Sequence, residues 1–262
     1  MIAVHSLARH ILPVLSAIVV VVLLWELAVR VTGVPEYLIP SPTSVGETGW
    51  TDRHTLGNHL WATSAIAVTG FALGTVLGVV LATLLGLSAT LRRAAEPVLI
   101  ASQAIPPVIF APIFIAVMGF GALPKLMVVT LGAFFPVAVS ASSAMRNADS
   151  DLVDLMVSMG ASRLTVLWRV RLPGSVPGIV AGARVSASYV VFSAIIAEWM
   201  GASAGLGVYL QRSQSAYRSD QMFAAVAIIA LLGVLLYWLT SLIGDRILTR
   251  SRTIHHRKAF QH

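Results

Sequence analysis

The chain has 262 residues, 57% of them hydrophobic and 11% charged, against about 25% charged in soluble domains, which excludes a water-facing surface over most of the molecule. The net charge of +7 is spread between apolar runs, and its only lysines are Lys125 and Lys258, so it reads as membrane topology and gives no sign of a nucleic-acid partner. The absence of cysteine excludes disulfides, thiolate metal ligands and cysteine nucleophiles.

Lipid offers a backbone no hydrogen-bond partner, so long apolar runs must be helices, each of about 20 residues to cross the bilayer. The sequence predicts an all-α membrane protein with six transmembrane helices. The first, 11–31, follows a short basic start with Arg9 and His10. Its length, and the lack of a small-x-small site before Arg30, favour a retained helix over a cleaved signal peptide. Residues 34–59, with Pro35, Pro40 and Pro42, read as an external loop. Span two is 60–87, and Arg92 and Arg93 then mark an internal loop. Span three, 97–118, contains Pro106, Pro107 and Pro112 and is expected to be bent or partly unwound. A tight turn at 119–125 leads to span four, 126–145, then a polar internal segment, 146–172. Span five starts at Pro173 or Pro177 and reaches 200. After an external loop, 201–220, span six covers 221–247, and a basic tail, 248–262, ends the sequence. Twelve of the eighteen bases fall on internal segments and five on external ones, with Arg184 in the membrane, which places both termini in the cytoplasm.

The segment between spans four and five has the pattern of two short surface helices. Asp149, Ser150 and Asp151 can cap the first and complement its dipole. Leu152, Leu155, Met156 and Met159 form an apolar stripe at helical spacing, and Gly160 is a natural stop. Ser162 can cap a second helix, 163–170, which Leu172-Pro173 terminates. A short amphipathic helix of this kind either docks in a groove on a partner protein or lies on lipid headgroups.

This segment resembles the EAA motif of bacterial ABC importer permeases. Asp154, Leu155, Met156, Gly160, Leu172 and Pro173 fall on its positions, with Ala161 beside the glycine. Asp stands for the usual Glu, and Leu155 and Met156 for two alanines. Pro106-Pro107, Ala111-Pro112, Gly119-Phe-Gly121, Phe134-Phe-Pro136 and the run from Ala197 to Gly207 are similar in order and spacing to the branch serving nitrate, taurine, alkanesulfonates and pyrimidine vitamin precursors; Gly121 to Lys125 leans toward the vitamin-precursor importers. The resemblance implies one permease domain over 1–262, whose loop between helices four and five couples to a separate ATPase subunit present in two copies. It also implies a second permease, commonly identical, an extracytoplasmic solute-binding protein, and a place in the bacterial plasma membrane. No G-x-x-x-x-G-K-[ST] phosphate loop surrounds either lysine, so ATP and Mg are expected on the partner ATPase. This chain is expected to hold no cofactor, metal or catalytic residue.

Arg184 falls about eleven residues into span five, near mid-membrane at ~1.5 Å per residue. A charge there must face protein or water, and Gly178, Gly182, Ala183, Ser186, Ala187 and Ser188 around it allow close helix approach. It reads either as a pathway or gate residue that attracts an anionic substrate or as a structural arginine bonded to carbonyls of a neighbouring helix. Glu26 and Arg30, with Trp25, read as an interfacial pair. Glu198, beside Trp199, reads as a gate or pairing residue or as an interfacial carboxylate. Gly70, Gly74 and Gly78 share one face of span two and predict a packing surface. Ser102, Gln103 and Tyr189, with Ser140, Ser142, Ser143 and Ser193, either line a polar path or bond their own backbone. All the histidines, His54, His59, His255 and His256 among them, fall in predicted loops or termini, where a solvated tail is preferred to a metal site. An intramembrane enzyme would need a nucleophile or metal cluster at depth. An ion-coupled secondary transporter, the alternative reading, would need midplane carboxylates, whereas the acids within the spans lie near their ends.

Overall fold

In the computed structural model the backbone is described for residues 2–259 and side chains for residues 12–13 and 16–249. The side chains of Arg9 and His10, and the basic tail from Arg250 with His255 and His256, lie outside these. Every element among the described residues is a helix.

The first helix, α1 (Ile2–Thr32), contains the first expected span and exposes every side chain from Ile18 to Leu24. Arg30 Nε donates to Glu26 Oε1 at 2.6 Å, and Glu26 also accepts from the Thr43 amide at 3.2 Å, tying α1 to α2 (Pro42–Thr51). The stretch 34–59, expected to be a loop, is therefore partly helical. Ser41 caps α2 by accepting from the Ser44 amide, and Pro42 occupies the first turn, where its missing N–H is no loss. The next helix, α3 (Arg53–Leu87), begins at Arg53 rather than at residue 60, so His54 and His59 are helical rather than in a loop.

The third expected span is two pieces. Ser88 caps α4 (Ala89–Ser102), and a 3₁₀ turn (Pro107–Phe110) leads into α5 (Ala111–Met118), with a bend of 93° between the two parts. Pro106 and Pro107 offer no N–H to the carbonyls behind them, which ends α4. The stop after α5 is Gly119 at φ +76°, and α6 (Ala122–Arg146) begins at Ala122, so the tight turn is only 119–121.

The polar segment then forms α7 (Ser150–Ser158) and α8 (Arg163–Val166), and a π-helical stretch (Leu167–Arg171) runs without interruption into α9 (Leu172–Trp199). Leu172-Pro173 was expected to terminate the second short helix and does not. The Leu172 amide donates to Leu167 O, five residues back, and the widened turn accommodates a proline ring that would clash in a regular helix. The expected 201–220 loop contains α10 (Leu206–Ser215), and α11 (Ser219–Ala259) runs past residue 247.

At the centre, α6 lies between α3 and α9 with glycines on both contacts. A Cβ on Gly70 would stand 2.5 Å from Val129 Cγ1, and one on Gly78 would stand 2.9 Å from Phe134 O; Gly74 meets Thr130 and Ala133 in the same way. On the opposite side a Cβ on Gly182 would stand 2.8 Å from Pro136 O, and Gly178 faces Ser140 and Ala144. The backbones touch where side chains are missing, which is how helices pack when no hydrophobic effect drives them together. Ala67, Val129, Ala133, Ala187, Val190 and Ala194 fill the contact between these helices and α11.

Connections sort to two ends. At one, Tyr209 Oη and Gln221 Nε2 both donate to Asp52 Oδ2 at 2.8 Å, and Thr48 donates to Asp220, joining α2, α3, α10 and α11. At the other, Arg171 donates to Gly86 O, Leu167 packs with Met145 and Ala82, and Arg146 pairs with Glu96. Among the described residues, four helices are long and apolar enough to cross a membrane, Arg53–Leu87, Ala122–Arg146, Arg163–Trp199 and Ser219–Thr249, and the bent α4–α5 pair makes a fifth if counted as one span.

Candidate functional site

Local chemistry sets the shape of the α7–α8 segment. Asp149 Oδ1 accepts from the amides of Asp151 and Leu152 at 3.0 and 3.2 Å, satisfying two donors that a helix start leaves open. Gly160, at φ +78°, turns the chain. The amides of Gly160 and Ala161 donate back to Val157 O and Met156 O at 2.9 Å, closing α7 from behind. Ser162 caps α8 by accepting from the Thr165 amide.

The segment is anchored at α8, where Val166 and Leu167 are buried and Leu172 and Pro173 half-buried. By contrast, α7 packs on α8 and stands off the rest of the bundle. Leu152, Leu155, Val157 and Met159 are exposed, Met159 at 76%. Asp154 is exposed and has no hydrogen-bond or ion-pair partner among the described residues, while Met156 and Ala161 are half-buried. The result is a capped helix presenting apolar side chains and the free carboxylates of Asp151 and Asp154 outward, on a stem continuous with α9.

The opposite end holds a buried polar cluster that the sequence did not reveal as a unit. Glu198 is 1% exposed. Its Oε1 accepts from Thr63 Oγ1 and its Oε2 from the Gly207 amide, both at 2.7 Å. Thr63 Oγ1 in turn accepts from the Leu206 amide at 2.8 Å, His59 Nδ1 accepts from the Gly205 amide at 3.0 Å, and Trp199 Nε1 donates to Gly207 O at 2.9 Å. Glu198 therefore sits inside the protein rather than at a lipid interface, holding the start of α10 against α3 and α9. Gly205 and Gly207 make this approach feasible, since a Cβ at Gly205 would overlap the Glu198 carboxyl and one at Gly207 would stand 2.6 Å from Ile195 O. The Glu198 to Gly207 run carries the signal, but Thr63 is 135 residues away in sequence.

Arg184 is half-buried, and its Nη2 donates to Asp245 Oδ1 at 2.6 Å and to Ser241 O at 3.3 Å on α11. Tyr189 Oη donates to Gly132 O on α6 at 3.2 Å. Ser102 Oγ donates to Leu99 O in its own helix, and Gln103 is exposed just beyond α4. The five candidate pathway positions therefore do not converge. Arg184 faces α11, Tyr189 faces α6 and Glu198 faces α3 and α10, with Arg184 and Glu198 about 21 Å apart along the helix at ~1.5 Å per residue. Among the described residues there is no group of histidines and carboxylates that could hold a metal ion.

Comparison with known proteins gives this arrangement a context. The chain is 34% identical to the formylaminopyrimidine transport permease protein ThiX of Halalkalibacterium halodurans, over 81% of this chain and 85% of that protein. It is 28% identical to the taurine transport system permease protein TauC of Escherichia coli, over 95% of this chain and 92% of that one. The fold is similar to that of a chain in inward-facing crystal structures of the MetNI methionine ABC transporter, with a TM-score of 0.65 at 22% identity, covering 74% of this chain and 97% of that one. Residues 74–249, from the glycine face of α3 through α11, match the profile described as binding-protein-dependent transport system inner membrane component, and the chain belongs to that family.

Proposed function

We propose that this chain is the transmembrane permease subunit of an ATP-driven importer and that, with a second copy of itself, it forms the pathway for a small nutrient. In this reading a separate ATPase subunit, in two copies, holds ATP and Mg, and an extracytoplasmic solute-binding protein delivers the solute. The observation that carries the reading is α7. It is a capped helix with exposed apolar side chains that its own protein leaves uncovered, which suits a groove on a partner. Closure of two ATPases would displace α7 and α8, and the continuous π-helical link would pass that displacement to α9. The α7 end is the cytoplasmic one, with both termini on that side, because the bases concentrate there. The solute is a sulfonate, nitrate, taurine or a pyrimidine or vitamin precursor, a range that includes the cargoes named for ThiX and TauC.

The test is co-purification of the tagged chain from its own cells in mild detergent, followed by uptake into proteoliposomes, with wild type set against Gly160→Pro, which deforms the α7–α8 turn. An ATPase should accompany the wild type, uptake should require ATP, and the variant should lose both association and uptake. Full uptake by the wild type with no ATPase present, driven by an ion gradient alone, would reject the reading.

A further inference from the structure

The break between α4 and α5 lies halfway through the bundle. Leu99, near the end of α4, clusters with Leu85 and Ala138, and Pro107 Cγ lies 4.0 Å from where a Cβ on Gly132 would stand. Since α6 spans Ala122–Arg146, residues 103–106 sit level with its middle. The backbone there is incompletely bonded for a reason written in the sequence. In a helix the Gln103 carbonyl would accept from residue 106 or 107, and both are prolines without an N–H. The amides of Gln103, Ala104 and Ile105 donate back to Ile100, Ala101 and Ser102 at 3.2, 3.1 and 3.2 Å. The carbonyls of Gln103, Ala104 and Ile105 accept from no described residue, and the exposed Gln103 carboxamide has no partner either. Non-helical backbone at membrane depth persists only inside protein or against water, and residues 103–106 are all exposed.

We infer that the Gln103 to Ile105 break is a hydrated station on the solute route, lined by hydrogen-bond acceptors; this rests on the importer reading above. Its three carbonyl oxygens and the oxygen of the Gln103 carboxamide replace water around a solute that carries N–H or O–H donors. The Arg184 cation lies on α9 and is ion-paired with Asp245, which offsets its charge toward a free anion. The station therefore favours neutral or zwitterionic solutes with donor groups over bare inorganic anions.

The cysteine-free chain allows a direct test. Gln103→Cys and Ala104→Cys are each placed in the complete importer with its ATPase, alongside Val76→Cys and Val234→Cys, which replace exposed apolar side chains in the middle of α3 and α11. Each is treated with a cationic and an anionic membrane-impermeant methanethiosulfonate, with rates normalised to those of a small thiol in solution. The expected result is labelling at 103 and 104, about tenfold faster with the cationic reagent because acceptor dipoles attract it, and none at 76 or 234. If Ala104→Cys, which leaves the backbone carbonyls and Gln103 in place, retains ATP-dependent uptake but positions 103 and 104 label no faster than 76 and 234, or label faster with the anionic reagent, the inference fails while the importer reading stands. Uptake that needs no ATPase would overturn the importer reading and, with it, the assignment of the break to a route driven by ATP.

Discussion

Replacing Glu198 by Gln keeps the shape of the side chain and removes one acceptor. Both Glu198 oxygens accept, from Thr63 Oγ1 and from the Gly207 amide. A carboxamide that turns its oxygen toward Thr63 sets its NH2 against the Gly207 N–H, and the opposite rotamer strands Thr63. Either way one buried donor loses its partner, at a cost of roughly 1–3 kcal/mol. Thr63→Val removes the donor to Glu198 and the acceptor for the Leu206 amide, at a similar cost of about 1–3 kcal/mol. Because the two changes break the same link, the double variant should lose less than the sum, by about 1 kcal/mol or more. The check is equilibrium unfolding of the purified protein in mixed micelles, closed as a double-mutant cycle and paired with proteolysis at the start of α10, which should become accessible in both single variants. Costs that add to within ~0.5 kcal/mol, or single variants as stable as wild type, would refute the view that this cluster is one cooperative latch.

Gly182→Ala forces a Cβ to 2.8 Å from Pro136 O, whereas a Cβ on Gly233 meets nothing within 4 Å; thermal melts in detergent should show Gly182→Ala destabilised by about 1–3 kcal/mol and Gly233→Ala unaffected. Asp245→Leu should be the more destabilising single change, because it leaves the half-buried Arg184 unpaired whereas Asp245 is mostly exposed, and adding Arg184→Met should recover part of the loss; a double variant no better than Asp245→Leu in thermal melts would leave no role for the pair. Burial, and then its hydrogen bond to Asp52, hold the Tyr209 hydroxyl well above the ordinary tyrosine range. The folded state thus favours the neutral phenol, and its contribution is full below about pH 10 and declines as pH rises further. The stability gap between wild type and Tyr209→Phe should therefore narrow in the alkaline limb, and a constant gap would contradict the assignment. A disulfide joining Ala82→Cys on α3 to Ala141→Cys on α6, both buried in one cluster, should leave ATP-dependent uptake intact, and arrested uptake in the cross-linked form would show that these helices slide past each other.

The spans were legible because an apolar run of sufficient length has one stable solution in lipid. Their edges were not. Pro40 and Pro42 are turn residues by composition, yet Pro42 opens α2, where its fixed φ suits a first helical turn. Pro173 reads as a stop by the same rule and is instead carried through by a π-helical bond from Leu172 to Leu167, a geometry that no periodicity announces. Gly160 and Asp149 could be placed from sequence alone because capping is local. Asp245 as the partner of Arg184 could not, since it lies 61 residues on and nothing local brings α9 and α11 into register. The burial of Glu198 was not legible for the same reason, its environment being decided by Thr63 and His59 on a distant helix.

The packing also limits where this molecule can change shape. Along α3, α6 and α9 the glycines bring the helices so close that Val129, Ala133, Val137, Ala144 and the α6 backbone fill the contact, leaving little room to repack to a second arrangement. A shift of any one of the three therefore carries the others with it, which favours rigid-body movement over internal sliding. Freedom is left where helical bonding is interrupted, at the proline break between α4 and α5 at the middle of the bundle. The π-helical stretch beside the exposed α7 stays bonded and joins α8 to α9 without a gap. A displacement applied at α7 would therefore turn the rigid α3–α6–α9 unit about its root, and the strain would appear at the α4–α5 break, where unbonded carbonyls already give the backbone room to move.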